Sequence, residues 1–224
     1  MDENNICFVC GSKATIKHYA EPVKYFCSCP VCGRYEYYPV FGELTDFDLN
    51  HSGSYLAYNG FKESNNEYRY FTTMSKERCD EYRRDFAQGN VTNGHPVRLE
   101  KENVENWYPK TFAERVDYIL LYLDSKIPHM GEYIKLKKEE LFSCFFVERY
   151  DYVDGQYKRL ADTLLKNQMD YMRCYLREQQ LIRTPDSWNG SEYDRPITIT
   201  PNGYARIDSL QKNTTNGKNV LVAM

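Results

Sequence analysis

Apolar residues recur at helical spacing through the C-terminal half of the chain and at strand spacing near its start. Phe112, Val116, Ile119, Leu120 and Leu123 fall on one helical face. Thr111 and Glu114 in Thr111-Phe112-Ala113-Glu114 form a capping box, in which hydroxyl and carboxylate satisfy the open backbone N–H groups of a helix start. Pro128 ends that helix by Lys126 or Ile127. Residues 139–147 repeat the pattern, with Leu141, Cys144 and Phe145 inward. Residues 164–180 form the longest predicted helix, with Leu165, Met169, Met172 and Leu176 as its buried stripe. The β-branched runs 181–184 and 196–200 flank a polar loop over 185–194 and predict a hairpin. Thr200-Pro201 caps a last helix, with proline at its first position and Tyr204, Ile207 and Leu210 facing in. Three helices, a hairpin and a closing helix predict a winged-helix-like domain over 111–212.

The first half reads differently. Residues 15–19 and 23–26 are β-branched and aromatic, with Pro22 between them. Residues 34–38 alternate charged and aromatic side chains, the mark of a half-buried strand. Over 43–110 the pattern thins to a connecting region. It predicts a short helix near 54–58, and a helix over 75–87 with Cys79, Tyr82 and Phe86 inward and Gly89 as its stop. A strand at 97–99 and a turn of helix at 104–107 follow. Residues 213–219 form a polar linker, and the apolar run 220–224 reads as a buried strand. That strand either docks on the preceding sheet or opens a further domain beyond Met224.

The strands of residues 1–42 are too few to close a core, so a metal staple is expected there. Cys7-Phe8-Val9-Cys10-Gly11 and Cys29-Pro30-Val31-Cys32-Gly33 supply it. Two CxxC pairs at this separation fit a four-thiolate zinc site, because each two-residue spacer lets one tight turn aim both sulfurs at the metal. Glycine after each pair suits a turn that needs positive φ. The motif predicts a zinc ribbon with Cys7, Cys10, Cys29 and Cys32 as ligands and structural Zn²⁺ as the cofactor. Cys27 is a fifth thiol, an alternative ligand or a bystander beside the site. A disulfide framework needs an oxidising compartment. A redox pair belongs in a βαβ unit, and no such pattern is visible around either pair. The fold class expected is therefore α+β.

Composition narrows the function. The formal net charge of the 224-residue chain is −3, so no global basic field draws nucleic acid. Residues 1–5 lack the basic and apolar regions of a signal peptide, and no apolar stretch is long enough for a membrane span. A reducing cytoplasm suits the thiol content. His18 is read as a surface residue, and His51 and His95 as surface or satisfied histidines. Cys79, Cys144 and Cys174 are read as buried structural thiols. There is no phosphate loop, GxGxxG, HExxH or GxSxG motif, so no enzymatic activity is expected.

The ribbon Cys7 to Gly11 and Cys29-Pro30-Val31-Cys32-Gly33-Arg34-Tyr35, the helix 114–123, and the segments 175–182 and 199–204 leading to Leu221-Val222-Ala223-Met224 together carry a resemblance. The chain resembles the N-terminal regions of bacterial proteins with a C-terminal TIR-like or nucleoside-deoxyribosyltransferase-like domain, many of them linked to defence against phage. The resemblance implies that a Val-Ala-Met strand opens the C-terminal domain, and that any catalytic residues lie beyond Met224.

Two functions follow as expectations. The first is a non-catalytic, zinc-stabilised sensing or scaffolding module that binds a protein partner, a ligand or its own copies and regulates an attached effector. The second is a winged-helix DNA-binding regulator, with Lys166, Arg173 and Arg177 on an exposed stripe of the recognition helix as nucleic-acid or partner contacts. Asp170 in that stripe, and Asp186, Glu192 and Asp194 in the wing loop, oppose phosphate binding. Residues 111–224 hold sixteen Lys plus Arg against sixteen Asp plus Glu, so this half offers no basic surplus.

Overall fold

The computed structural model describes residues 5–21, 23–37, 47–60, 69–90 and 94–216. It is α+β and divides into two compact units, Met1–Tyr108 and Pro109–Met224.

The first unit is built on a mixed five-stranded sheet. Strands β1 (Thr15–Ala20), β2 (Val23–Cys29) and β3 (Gly33–Tyr37) pair antiparallel as expected from their β-branched and aromatic content. The sheet then continues through the region expected to be a mere connection. Helix α1 (Leu49–Asn59) leads to β4 (Arg69–Thr72), and α2 (Lys76–Ala87) leads to β5 (His95–Arg98), both strands parallel to β3. The order is β1-β2-β3-β4-β5. Two strand–helix–strand crossovers thus follow the second Cys pair directly, where the sequence reading found no such pattern. The strand expected at 97–99 overlaps β5, whereas β4, four residues long, gives too little periodicity to be seen.

Local chemistry fixes the helix ends. Asp48 caps α1 by accepting from the N–H groups of Asn50 and His51, and Ser75 caps α2 through Arg78 N–H. Helix α1 is longer than the 54–58 segment expected; its buried side combines Leu56 with the small residues Ser52, Gly53, Ser54 and Ala57, which give little apolar periodicity. Gly89 follows α2 with φ of 76°, and α3 (Lys101–Trp107) closes the unit.

The second unit packs four helices round a small sheet. Helix α4 (Phe112–Lys126) starts at the predicted capping box, with both reciprocal hydrogen bonds formed. Helices α5 (Lys138–Cys144), α6 (Asp162–Glu178) and α7 (Pro201–Asn216) follow, the last running into the residues expected to be a linker. The expected strand at 220–224 lies outside the described residues. Between α5 and α6 a hairpin, β6 (Tyr150–Val153) and β7 (Gln156–Arg159), turns on Asp154 and Gly155, both at positive φ. Strands β8 (Ile182–Arg183) and β9 (Thr198–Ile199) pair antiparallel, and Ile134 bridges to Ile197 beside them. The anticipated stripes of α4, α5 and α6 are buried with Ile197, Ile199 and Ile207. Phe112 and Tyr204 remain partly exposed.

Candidate metal centre

Strand ends and two tight turns bring the four expected thiols together. Cys7 and Cys10 sit on the turn before β1; Cys29 ends β2, and Cys32 immediately precedes β3. Gly11 and Gly33 adopt φ of 80° and 72°, the left-handed turn for which glycine was read. The Sγ atoms of Cys7, Cys10, Cys29 and Cys32 lie within 4.8 Å of one another and all four residues are buried. Cys10 and Cys29 are 3.5 Å apart, and Cys7 and Cys32 3.9 Å. A tetrahedron of thiolates with metal–sulfur bonds of about 2.3 Å separates its sulfurs by about 3.8 Å. The residues present therefore fit a four-coordinate metal ion, and none of the eight cysteines is in a disulfide.

The surroundings orient these sulfurs. Val31 and Cys32 N–H groups point at Cys29 Sγ at 3.4 and 3.3 Å, and Ser12 N–H at Cys10 Sγ at 3.5 Å. The buried Tyr35 hydroxyl lies 3.1 Å from Cys7 Sγ and donates to it when that sulfur is a thiolate. Phe8, at the tip of the first turn, packs edge-on to Tyr25 and Tyr37, which stack on each other. The carbonyl of Cys32 also receives α1: a Cβ on Gly60 would lie 2.4 Å from that oxygen. The second turn and the end of the helix are thus in direct contact.

Burial makes four neighbouring anions untenable without a cation. Hydrogen bonds from Cys10 hold the Cys7 and Cys29 thiols below their ordinary range, while the same bonds and burial push Cys10 and Cys32 above it. A divalent ion removes this conflict by letting all four ionise. Cys27 is fully buried and stands outside the four-sulfur cluster. Its thiol is pushed up by its hydrogen bond to Cys7, then by burial, so it sits beside the centre as a neutral neighbour. With no open ligand position in a four-thiolate set, such a centre holds structure and leaves substrate nowhere to bind.

The three cations expected on one stripe of α6 separate. Arg173 is 3 % exposed and is not on the surface. Its guanidinium donates to the Glu192 carbonyl at 2.8 Å and lies 3.6 Å from that residue's carboxylate, tying α6 to the loop between β8 and β9. Lys166 pairs with Asp170 one turn along. Arg177 is exposed and borders a cavity of about 340 Å³ with Arg183, Thr184, Asp186, Thr200 and Asn202. Glu192 is itself matched by Arg173 and Arg195, so it does not present the bare charge expected of it.

The other isolated candidates resolve in the same way. His18 is exposed, whereas His51 is hydrogen-bonded to Glu105 at 2.8 Å and stacked on Tyr108. Cys79 and Cys144 are buried, their thiols pushed up by desolvation. Cys174 is exposed, contrary to its expected burial, because it faces away from the Met169–Met172–Leu176 stripe. Among the described residues no helix is long and apolar enough to cross a membrane. Comparison of the chain with protein-family models, curated proteins and solved structures finds no match.

Proposed function

We propose that this chain is a non-catalytic, zinc-stabilised sensing or scaffolding module that binds a ligand or protein partner and regulates an effector. The observation that carries this reading is the closed cluster of four buried thiols. Soft sulfur ligands in a tetrahedral set favour Zn²⁺ over the oxygen-seeking cations. A reducing, cytoplasmic setting keeps the thiols competent for it. The helix–bridge–helix–helix–hairpin–helix order of the second unit supports a winged-helix-like scaffold, interrupted by the hairpin at 150–159. The resemblance to front ends of phage-defence proteins supplies the same picture of a regulatory region coupled to an effector. Duplex DNA binding by α6 is the weaker reading: one of its three cations is buried and a second is already paired.

The test is metal content. Purified protein is expected to carry about one zinc per chain, released on thiol modification. Cys10→Ser and Cys32→Ser lose it, whereas Cys27→Ser keeps it. Protein folded in the first unit without metal overturns the reading.

A further inference from the structure

Two arginines of the second unit differ from its other six. Residues 109–224 hold eight arginines. Arg115, Arg159, Arg173, Arg195 and Arg206 each lie within 3.7 Å of a carboxylate, and the buried Arg149 donates to the Ser143 hydroxyl at 3.0 Å. Arg177 and Arg183 have no such partner among the described residues, and both line the cavity of about 340 Å³.

Three elements build this cavity. Arg177 lies in the last turn of α6, Arg183 ends β8, and Thr200 and Asn202 stand at the start of α7. The start of α7 is seated on the residues that follow α6. Thr200 N–H donates to the Leu181 carbonyl at 3.1 Å, its hydroxyl donates to the Gln180 carbonyl, and Gly203 leaves no room for a Cβ against Leu181. Pro201 has no N–H, and the Thr200 hydroxyl accepts that of Gly203 at 3.2 Å, so Asn202 N–H is the open donor of the first turn. Thr184, beside Arg183 in the same wall, is 3 % exposed, and its hydroxyl has no hydrogen-bond partner. Buried polar groups are nearly always hydrogen-bonded, and the chain leaves this one unmatched.

Charge and lining define the ligand. Two guanidiniums against one carboxylate, that of Asp186, leave the cavity positive. A guanidinium meets phosphate oxygens through paired N–H groups. Among the described residues no aromatic side chain lines the cavity, so there is no ring on which a base could stack. Asp186 and Asn202 offer the acceptors and donors that suit hydroxyl groups. The volume lies near the lower end of the range for ligand pockets, about 300–1,000 Å³, and admits a phosphate with a small body.

We propose that this cavity binds a small sugar phosphate, its phosphate held by Arg177 and Arg183 and its hydroxyls by Asp186 and Asn202. This rests on the reading of the chain as a sensing module and names the class of ligand it senses.

The experiment titrates the full chain by calorimetry, with zinc content measured on the same sample. The probes are ribose 5-phosphate, ribose, inorganic phosphate and a duplex DNA dodecamer. Ribose 5-phosphate is expected to bind saturably and more tightly than each of the others, with an affinity that falls as salt is added. The double variant Arg177→Ala, Arg183→Ala changes two exposed side chains and is expected to keep its circular dichroism while losing affinity by about tenfold or more. If it unfolds, Arg177→Gln alone, on the surface of α6, carries the same test. Asp186→Ala is expected to shrink the preference for ribose 5-phosphate over inorganic phosphate. Lys17→Glu, in the first unit, is expected to change nothing. Folded protein that does not bind ribose 5-phosphate, that binds inorganic phosphate or the duplex as tightly, or that keeps its affinity without the two arginines overturns this proposal, and leaves the zinc reading standing where zinc is present. A folded chain without zinc overturns the zinc reading instead, and the titration still decides the cavity.

Discussion

In residues 1–108 the buried centre sets five thiols and two tyrosines among side chains such as Val9, Leu56, Phe71 and Val104; in residues 109–224 it is dominated by aliphatic and aromatic side chains on helices. The first arrangement suits a metal ion: four sulfurs within 4.8 Å repel when ionised and offer weak hydrogen bonds when protonated. The second depends on shape, since stripes such as Leu165, Met169, Met172 and Leu176 gain stability in proportion to the area they remove from water. The two units should therefore fail under different insults.

Removing the proposed metal breaks the comparison most sharply. Binding of structural zinc is worth on the order of 10 kcal/mol, comparable to the whole stability of a small domain. Chelation, or Cys10→Ser, is expected to abolish protection of the β1–β3 amides in hydrogen exchange and leave the amides of α4 and α6 unchanged. Acid acts the same way, because ligand thiolates must be protonated for the ion to leave. Equal loss in both units would show that the second also depends on the ion.

The converse perturbation addresses the second unit. Arg173→Met removes a guanidinium that donates to the Glu192 carbonyl from a site 3 % exposed. The expected cost is about 2–3 kcal/mol, the worth of a hydrogen bond made by a charged donor, read as a lower denaturation midpoint. Zinc content should not change. Lys166→Ala, at a half-exposed pair, should cost less than about 0.5 kcal/mol. A triple change at Lys166, Arg173 and Arg177 would therefore destabilise through Arg173, and loss of DNA binding in it would say nothing about contacts.

Gly60→Ala probes where α1 meets the metal turn. Its Cβ would fall 2.4 Å from the carbonyl oxygens of Cys32 and Leu56, both backbone atoms that cannot swing aside. Overpacking of this kind costs about 1–3 kcal/mol, and here it should also weaken zinc retention against a competing chelator. A variant with normal zinc retention would mean that α1 does not support the turn.

These sites differ in how far the sequence announced them. The clustering of the four thiols was legible because metal geometry imposes a spacing that survives any fold. Helices α4 and α6 were legible because 15 and 17 residues repeat a 3.6-residue period several times. Strand β4, four residues long, repeats nothing; β5 overlaps the strand anticipated at 97–99, but only tertiary pairing makes either part of the sheet. The hairpin at 150–159 did carry a signal, Asp154-Gly155 between tyrosine-rich runs, which went unread. Arg173 misled because arginine is seldom buried, and its partner Glu192 lies nineteen residues away on a loop. Nothing local in the sequence announces that pairing.

A smaller effect than those at Arg173 and Gly60 tests what helix capping adds to the apolar packing of the second unit. Thr111 accepts from Glu114 N–H, and Glu114 returns a carboxylate to the N–H groups of Thr111 and Lys110. Thr111→Ala should cost about 1 kcal/mol, the usual worth of an N-cap. Hydrogen bonds from the Thr111 backbone, then from Lys110, hold the Glu114 carboxyl below its ordinary value. A depressed acid is stabilising while ionised, so its contribution is present above the ordinary glutamate value and is lost as pH falls through the lower folded value. The cost of Glu114→Gln, measured by urea denaturation, should therefore be present at neutral pH and vanish in acid, below the ordinary glutamate value. Because both partners are exposed, salt should trim that difference, whereas the burial of Leu120 and Leu165 is indifferent to both. A pH-independent cost for Glu114→Gln would assign the start of α4 to propensity and packing.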